Sequence, residues 1–152
     1  MTNPNNILTK QEHRLPKTVI AKAIKSSNEF GWRQQDFQEV VEAARKTRMA
    51  IIGGQVQCVF PDGTCELYWL SYDPAERLIN EPWLTYCERT ANECLEKFNQ
   101  LIATTNIEEE AVNSFQFLAD KKKSGVDINN YLAFILYFDD KETDLCDKEQ
   151  SE

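Results

Sequence analysis

Between residues 56 and 101 the apolar residues change their spacing, and this change limits the fold more than any other feature of the chain. Val56, Cys58 and Phe60 alternate with Gln57 and Val59, and Cys65, Leu67 and Trp69 alternate with Glu66 and Tyr68. Period two is the signature of strands. Further on, Leu84, Cys87, Ala91, Cys94, Phe98 and Leu101 recur at steps of three and four, with Trp83, Tyr86 and Leu95 widening the stripe. That spacing predicts an amphipathic helix over 82–103. A chain with both patterns in tandem is expected to be α+β, with an antiparallel hairpin or small sheet under a helix.

The hairpin turn has its own chemistry. Pro61 presets φ, and Gly63 tolerates positive φ. A two-residue Asp62-Gly63 loop would need an N–H from Pro61, which has none. A three-residue loop pairs Phe60 with Thr64 and mixes apolar with polar residues on each face. A four-residue loop pairs Phe60 with Cys65 and Cys58 with Leu67. It gathers the apolar residues on one face and is the expected register.

Around this centre the chain reads as one domain over 12–138. Residues 1–11 are polar and aperiodic, the mark of a flexible terminus. Pro16 opens a predicted helix over 16–27, with Val19, Ile20, Ala23 and Ile24 on one face. Gly31 breaks the chain, and a second helix is expected over 34–47, with Phe37, Val40, Val41 and Ala44 inward. Met49 to Ile52 is a short strand candidate closed by Gly53-Gly54. Helix 108–122 carries three glutamates in its first turn and three lysines in its last, matching the helix dipole at both ends. The run 131–138 is apolar on every side, so period cannot separate a buried strand from a short helix. Its low β-branched content favours a helix, capped by Asp127. Residues 139–152 form an acidic tail with 7 acidic and 2 basic residues. The expected architecture is thus two N-terminal helices, a central hairpin or small sheet, and C-terminal helices packed on it.

Charge narrows the possible partners. The 152 residues include 17 basic and 25 acidic ones, a net charge of -8. Residues 1–54 hold 9 basic and 5 acidic residues, a net of +4; residues 55–152 hold 8 and 20, a net of -12. Such a balance disfavours nucleic acid and anionic membranes and favours a cationic partner. The sequence shows neither a signal peptide nor an apolar run of the ~20 residues needed to span a bilayer. With five cysteines, an odd number, and no secretion signal, a reduced cytoplasmic protein is expected.

The residue types that carry catalysis are poorly placed. The single histidine, His13, lies near the flexible front, away from any cysteine or serine it could activate. Cys87 and Cys94, seven apart in a helix, are separated by about 10.5 Å along its axis, beyond the reach of one zinc ion. In the expected register Cys58 and Cys65 are diagonal neighbours with Cβ atoms roughly 7–8 Å apart, too far for a disulfide. All four read as small core residues. Gly53-Gly54 lacks a phosphate-binding context. Asp139-Asp140 fits a solvated run, and Lys121-Lys122-Lys123 a helix C-terminus. No enzyme activity, metal or cofactor is expected.

Two binding readings remain. Helix, break at Gly31, helix and hairpin follow the order of a winged helix-turn-helix, with Arg33, Gln34, Gln35 and Gln38 able to face bases. Asp36, Glu39 and Glu42 on the same helix oppose that, because phosphates repel them. The run MAIIGGQVQCVFPDGTCELYWLSYDPAER, residues 49–77, resembles that of small bacterial immunity proteins of the contact-dependent growth inhibition type. The resemblance implies a cytoplasmic protein that binds and neutralises a cognate toxin domain, often a nuclease, by occlusion or by allosteric locking. An acidic inhibitor of a basic cleft agrees with the charge balance. The expected toxin-contacting residues are Glu66 on the outer hairpin face, Asp73 and Glu76 just after it, and Asp139, Asp140 and Asp144 beyond the apolar run.

Overall fold

A computed structural model describes residues 11–140. The chain is α+β, and its strands pair antiparallel throughout. Strands β1 (Ile24–Ser26), β2 (Glu29–Trp32), β4 (Gln55–Phe60), β5 (Gly63–Ser71) and β6 (Leu132–Ile135) form one sheet in the order β1-β2-β6-β4-β5. Strands β3 (Met49–Gly53) and β7 (Tyr137–Asp140) form a second, two-stranded sheet. The helices are α1 (Lys17–Ala21), α2 (Gln34–Lys46), α3 (Trp83–Thr104), α4 (Ile107–Ser114) and α5 (Gln116–Lys123).

Register sorts the five-stranded sheet into two unlike faces. Trp32 pairs with Phe134, Phe134 with Val56, and Val56 with Leu67, so these four share one face. That face is apolar and forms the core with α2 and α3. At its centre the Phe37 and Phe98 rings stack 3.8 Å apart, with Tyr72 and Phe134 edge-on to Phe37. The other face carries Ser26, Glu29, Gln57 and Glu66 around the buried Ala133 and Ile135 of β6.

Several expectations are corrected. The first helix ends at Ala21; residues expected to continue it form the β1–β2 hairpin, turning through Ser27 at φ 58°. Ser26-Ser27-Asn28 is a turn sequence, and it outweighs the apolar stripe. Gly31 is therefore a strand residue, with no space for a side chain beside Ile135 and Ala133. The run 131–138 is two strands, preceded by a short 3-10 turn over Ile128–Tyr131. Asp127 does cap that turn, accepting from the Asn129 N–H at 3.1 Å. β6 lies in the middle of the sheet and is buried at all four positions, which is why its sequence lacks alternation.

The central hairpin keeps its predicted face but slips by two residues. Cys58 pairs with Cys65 and Phe60 with Gly63, leaving Pro61-Asp62 as the turn. Pro61 then sits where a fixed φ helps and no N–H is required. Between Leu67 and Ser71 the pairing shifts, with Tyr68, Trp69 and Leu70 bulging on β5. The bulge resets the alternation, so Leu70 is buried while Trp69 is 40% exposed. Helix 108–122 is broken at Phe115, whose extended backbone lets its ring stack on Trp69. In α3 the stripe begins at Trp83 and Tyr86, and Leu84 is 49% exposed. β7 extends through Asp140, past the expected boundary at 138; of the expected flexible segment 1–11 only Gln11 is described, in a helical turn, and the tail beyond 140 lies outside the described residues.

Tyr72 closes the ladder where the strands part. Its hydroxyl lies 2.7 Å from the Ile135 carbonyl and 3.0 Å from that of Gln55, and its ring is fully buried. Tyr72→Phe would leave both carbonyls without this donor. A loss of about 1–3 kcal/mol is expected, read as a lower urea midpoint at an unchanged slope.

Candidate functional site

The polar sheet face is knitted together by a chain of side-chain hydrogen bonds. The Ser26 hydroxyl donates to Gln57 Oε1 at 2.7 Å, and Gln57 Nε2 donates to Glu29 Oε1 at 2.7 Å. The Tyr137 hydroxyl donates to Glu29 Oε2. Gln55 Nε2 donates to Glu66 Oε1 at 3.2 Å. Gln57 is buried, yet both ends of its carboxamide are bonded. Burial, the Glu29 hydrogen bond, and the charges of Glu29, Glu66 and Asp73 together push the Tyr137 phenol up. Glu29, Glu66 and Asp73 therefore share one electrostatic neighbourhood. They are not a cation site: among the described residues no three such groups are placed to hold a metal ion.

Of the expected contact residues, Glu66 lies on this face, bonded to Gln55, and Asp73 lies just beyond it, bonded to Gly54, while Glu29 was not among those expected. Its place in a strand was hidden because the predicted helix 16–27 absorbed β1, the strand it pairs with. Asp139 lies elsewhere along β7, within electrostatic reach of Tyr86, whose phenol is raised by burial first and by Asp139 next. Glu76 is exposed in the loop after β5. Asp144 lies outside the described residues. Asp140 is a correction: it is buried and paired with Arg14, which it ties to β7. Asp73 has a structural role as well, since its Oδ1 accepts from the Gly54 N–H at 2.9 Å. A Cβ on Gly53 would fall 2.0 Å from that same oxygen, and Gly53 holds φ +145°. Reversing Asp73 or Asp140 would disturb the fold, unlike reversing Glu66 or Glu76.

The loop 72–82 leads from the sheet to α3 and is braced by ions. Arg89 donates to Glu81 Oε2 at 2.7 Å and to Oε1 at 2.9 Å, a bidentate pair. The same guanidinium reaches the carbonyls of Ala75 and Glu76 and the Glu93 carboxylate. Arg77 donates to the Glu81 carbonyl at 2.7 Å and lies 5.4 Å over the Trp83 ring and 5.3 Å over Tyr86. Glu81 also accepts from the Leu78 N–H at 3.0 Å, and the Lys97 ammonium donates to the Asp73 carbonyl at 2.8 Å. The Arg89 hydrogen bonds hold the Glu81 carboxyl below its ordinary value.

The proposed recognition helix is real, but its setting is different from a helix-turn-helix. The β1–β2 hairpin stands in place of the preceding helix's second half. Lys22 pairs with Glu39 at 2.8 Å, and Arg33, Gln34 and Gln35 line a cleft of about 500 Å³ with Asn129 and Asn130. The thiols of Cys58, Cys65, Cys87 and Cys94 are buried and unbridged. Cys58 and Cys65 face each other directly, which corrects the diagonal placement. No described helix is long and apolar enough to cross a membrane. No protein-family model, curated protein or solved structure matches the chain.

Two pH effects follow. Glu81 is depressed, so its pair with Arg89 contributes fully above 4.5 and is lost as pH falls through the lower folded value. The Leu78 amide resonance should report a midpoint below 4.5; a midpoint at or above it contradicts the brace. At the alkaline end, burial raises Cys58 and Cys94 from 9.0 to about 12. Thiols of the unfolded chain ionise first, so stability should fall as pH rises above 9.0. In the native protein at neutral pH these two thiols should resist a disulfide reagent that labels them in denaturant.

Proposed function

We propose that the protein is a cytoplasmic, non-enzymatic inhibitor that binds and neutralises a cognate toxin domain with a basic surface, a nuclease being the type its acidity suits best. The observation that carries this reading is the polar sheet face, where the carboxylates of Glu29 and Glu66 are held by the neutral carboxamides of Gln57 and Gln55. Carboxylates held by neutral donors on one face make a local negative potential that a cationic cleft would sense on approach. Glu76 extends it along the next loop. The resemblance of residues 49–77 to immunity proteins covers the same part of the molecule: β3, the central hairpin and the start of that loop.

Mechanistically, the acidic face lies over the basic cleft or beside it, and substrate phosphates are excluded by shape and by like charge. Complementary charge contributes mainly to the rate and orientation of encounter. Salt should therefore slow association, as the Debye length contracts from about 10 Å at 0.1 M to 3 Å at 1 M.

The test asks first whether a toxin domain is encoded beside this chain, then co-expresses the two and measures binding kinetics on the purified pair. The chain should rescue growth and form a complex at low salt. The double variant Glu66→Lys/Glu76→Lys should lower the association rate by about tenfold or more and flatten its salt dependence while leaving the urea midpoint near wild type. Cell death in the presence of the wild-type chain, or no complex at low salt, rejects the reading.

A further inference from the structure

β5 is an edge of the five-stranded sheet, and its outer side is open. In an antiparallel ladder successive residues turn their N–H and C=O groups to opposite sides. Phe60 and Gly63 flank the two-residue turn and bond to each other. Counting from that pair, Gly63, Cys65 and Leu67 face β4, and Thr64 and Glu66 turn their backbone groups outward. Among the described residues no backbone hydrogen bond reaches those groups, and β4 is the one strand beside β5.

Open sheets usually protect such an edge. β1, at the opposite end of this sheet, is three residues long and carries Lys25. β5 has nine residues, more than any other strand here, with neither lysine nor proline among them. Its bulge begins only after Leu67, so residues 63–67 form an uninterrupted template. The side chains along it suit a contact. Thr64, Glu66 and Tyr68 are all exposed, Tyr68 to 70%. Trp69 is fixed next to them, its ring stacked on Phe115 and its indole N–H donating to Glu110 at 2.9 Å. The Tyr68 ring stands 5.3 Å from it, edge-on. Tyr and Trp are the residues that interfaces favour.

We infer that β5 receives an extended strand of the partner protein, which lengthens the sheet past β5 and sets a Lys or Arg opposite Glu66. The backbone dictates the strand: donors and acceptors alternating at strand spacing are matched by another strand and not by a helix. Glu66 dictates the cation. It borders the vacant strand position, and its bonded partner is the neutral Gln55 carboxamide at 3.2 Å. Lys121, at the turn end, pairs with Asp62 at 2.9 Å instead. A second copy of the chain fits less well. Pairing about Glu66 would set two carboxylates face to face, and every register brings together two chains of net charge -8. The inference rests on the toxin-neutralising reading for the identity of the partner, and it adds the mode of docking.

The experiment is amide hydrogen exchange on the full chain, free and with the toxin domain encoded beside it, together with binding and sedimentation. In the free chain the Thr64 and Glu66 amides should exchange fast and those of Cys65 and Leu67 slowly. In the complex the first two should slow by about 100-fold or more. Thr64→Pro removes an outward N–H and no bond to β4. It should keep the urea midpoint near wild type and weaken binding by about tenfold or more. Thr64→Ala retains the N–H and should bind within about threefold of wild type. Should Thr64→Pro fail to fold, exchange in the wild-type pair decides alone. If the complex forms while the Thr64 and Glu66 amides keep their free rates, the docked strand is wrong and the inhibitor reading stands. If no toxin domain is encoded beside the chain, or the two form no complex, that reading fails and the inference with it. If the free chain dimerises with these amides protected, and Thr64→Pro makes it monomeric, β5 is a self-association edge and the inference is overturned.

Discussion

Tyr72 is the side chain on which most of the structure hangs. Its ring sits 5.1 Å from Phe37 on α2, 6.0 Å from Phe98 on α3 and 6.5 Å from Phe134 on β6. One residue thus ties both long helices to the middle strand of the sheet. Its hydroxyl serves the Ile135 and Gln55 carbonyls just where β6 gives way to β7 and the β4–β5 pairing shifts. Buried carbonyls left over by an ending ladder must find a donor. A phenol projecting from the end of β5 can reach them, and a Phe could not. The crowding is close: a Cβ on Gly54 would lie 1.7 Å from that same Ile135 oxygen. Gly54 is a residue of close approach, with no phosphate-binding role required.

From this point the candidate interface is built outward along the chain. Asp73 clasps the Gly53-Gly54 corner, Lys97 and Arg89 pin the loop backbone to α3, and Glu81 closes its end. The Glu81–Arg89 pair is only partly buried, with side chains 5% and 21% exposed. Desolvation of such a pair offsets much of its Coulombic attraction. Its effect is better read in geometry than in net stability. It selects one conformation for a loop that carries no regular secondary structure, through directional bonds that a hydrophobic pair could not supply.

The sequence revealed elements in proportion to the strength of their period. α2, α3 and the two hairpin strands each had several apolar residues in register, and they form where expected. The face of the hairpin was legible because apolar residues recur every second position. Its two-residue slip was not, since shifts of two keep every side chain on the same face. β1 and β2 were hidden because Val19 to Ile24 satisfy a helical stripe over a stretch too short to test it. β6 was hidden for the opposite reason: a central strand buried on both faces has no period to read. The acidic site was half legible. Glu66 could be placed by alternation alone, whereas Glu29 needed the β2–β6 pairing, and Asp140 took an internal partner in Arg14 that lies 126 residues away.

Net charge alone overstates what a partner would meet. Much of the acidic excess after residue 54 is answered within the fold: Asp62 by Lys121, Glu81 and Glu93 by Arg89, Glu88 by Arg45, and Asp140 by Arg14. At physiological salt a charge is felt over about 8 Å, so an approaching protein responds to local groups. What counts is where carboxylates lie near one another without cations between them. The polar sheet face comes nearest that description at Glu29 and Glu66, whose bonded partners are the neutral groups of Gln57, Tyr137 and Gln55, whereas Asp73, just beyond it, has the Lys97 ammonium on its carbonyl. Neutral donors order Glu29 and Glu66 and leave their charge uncancelled. That is how a sheet face can be rigid and still project a negative field.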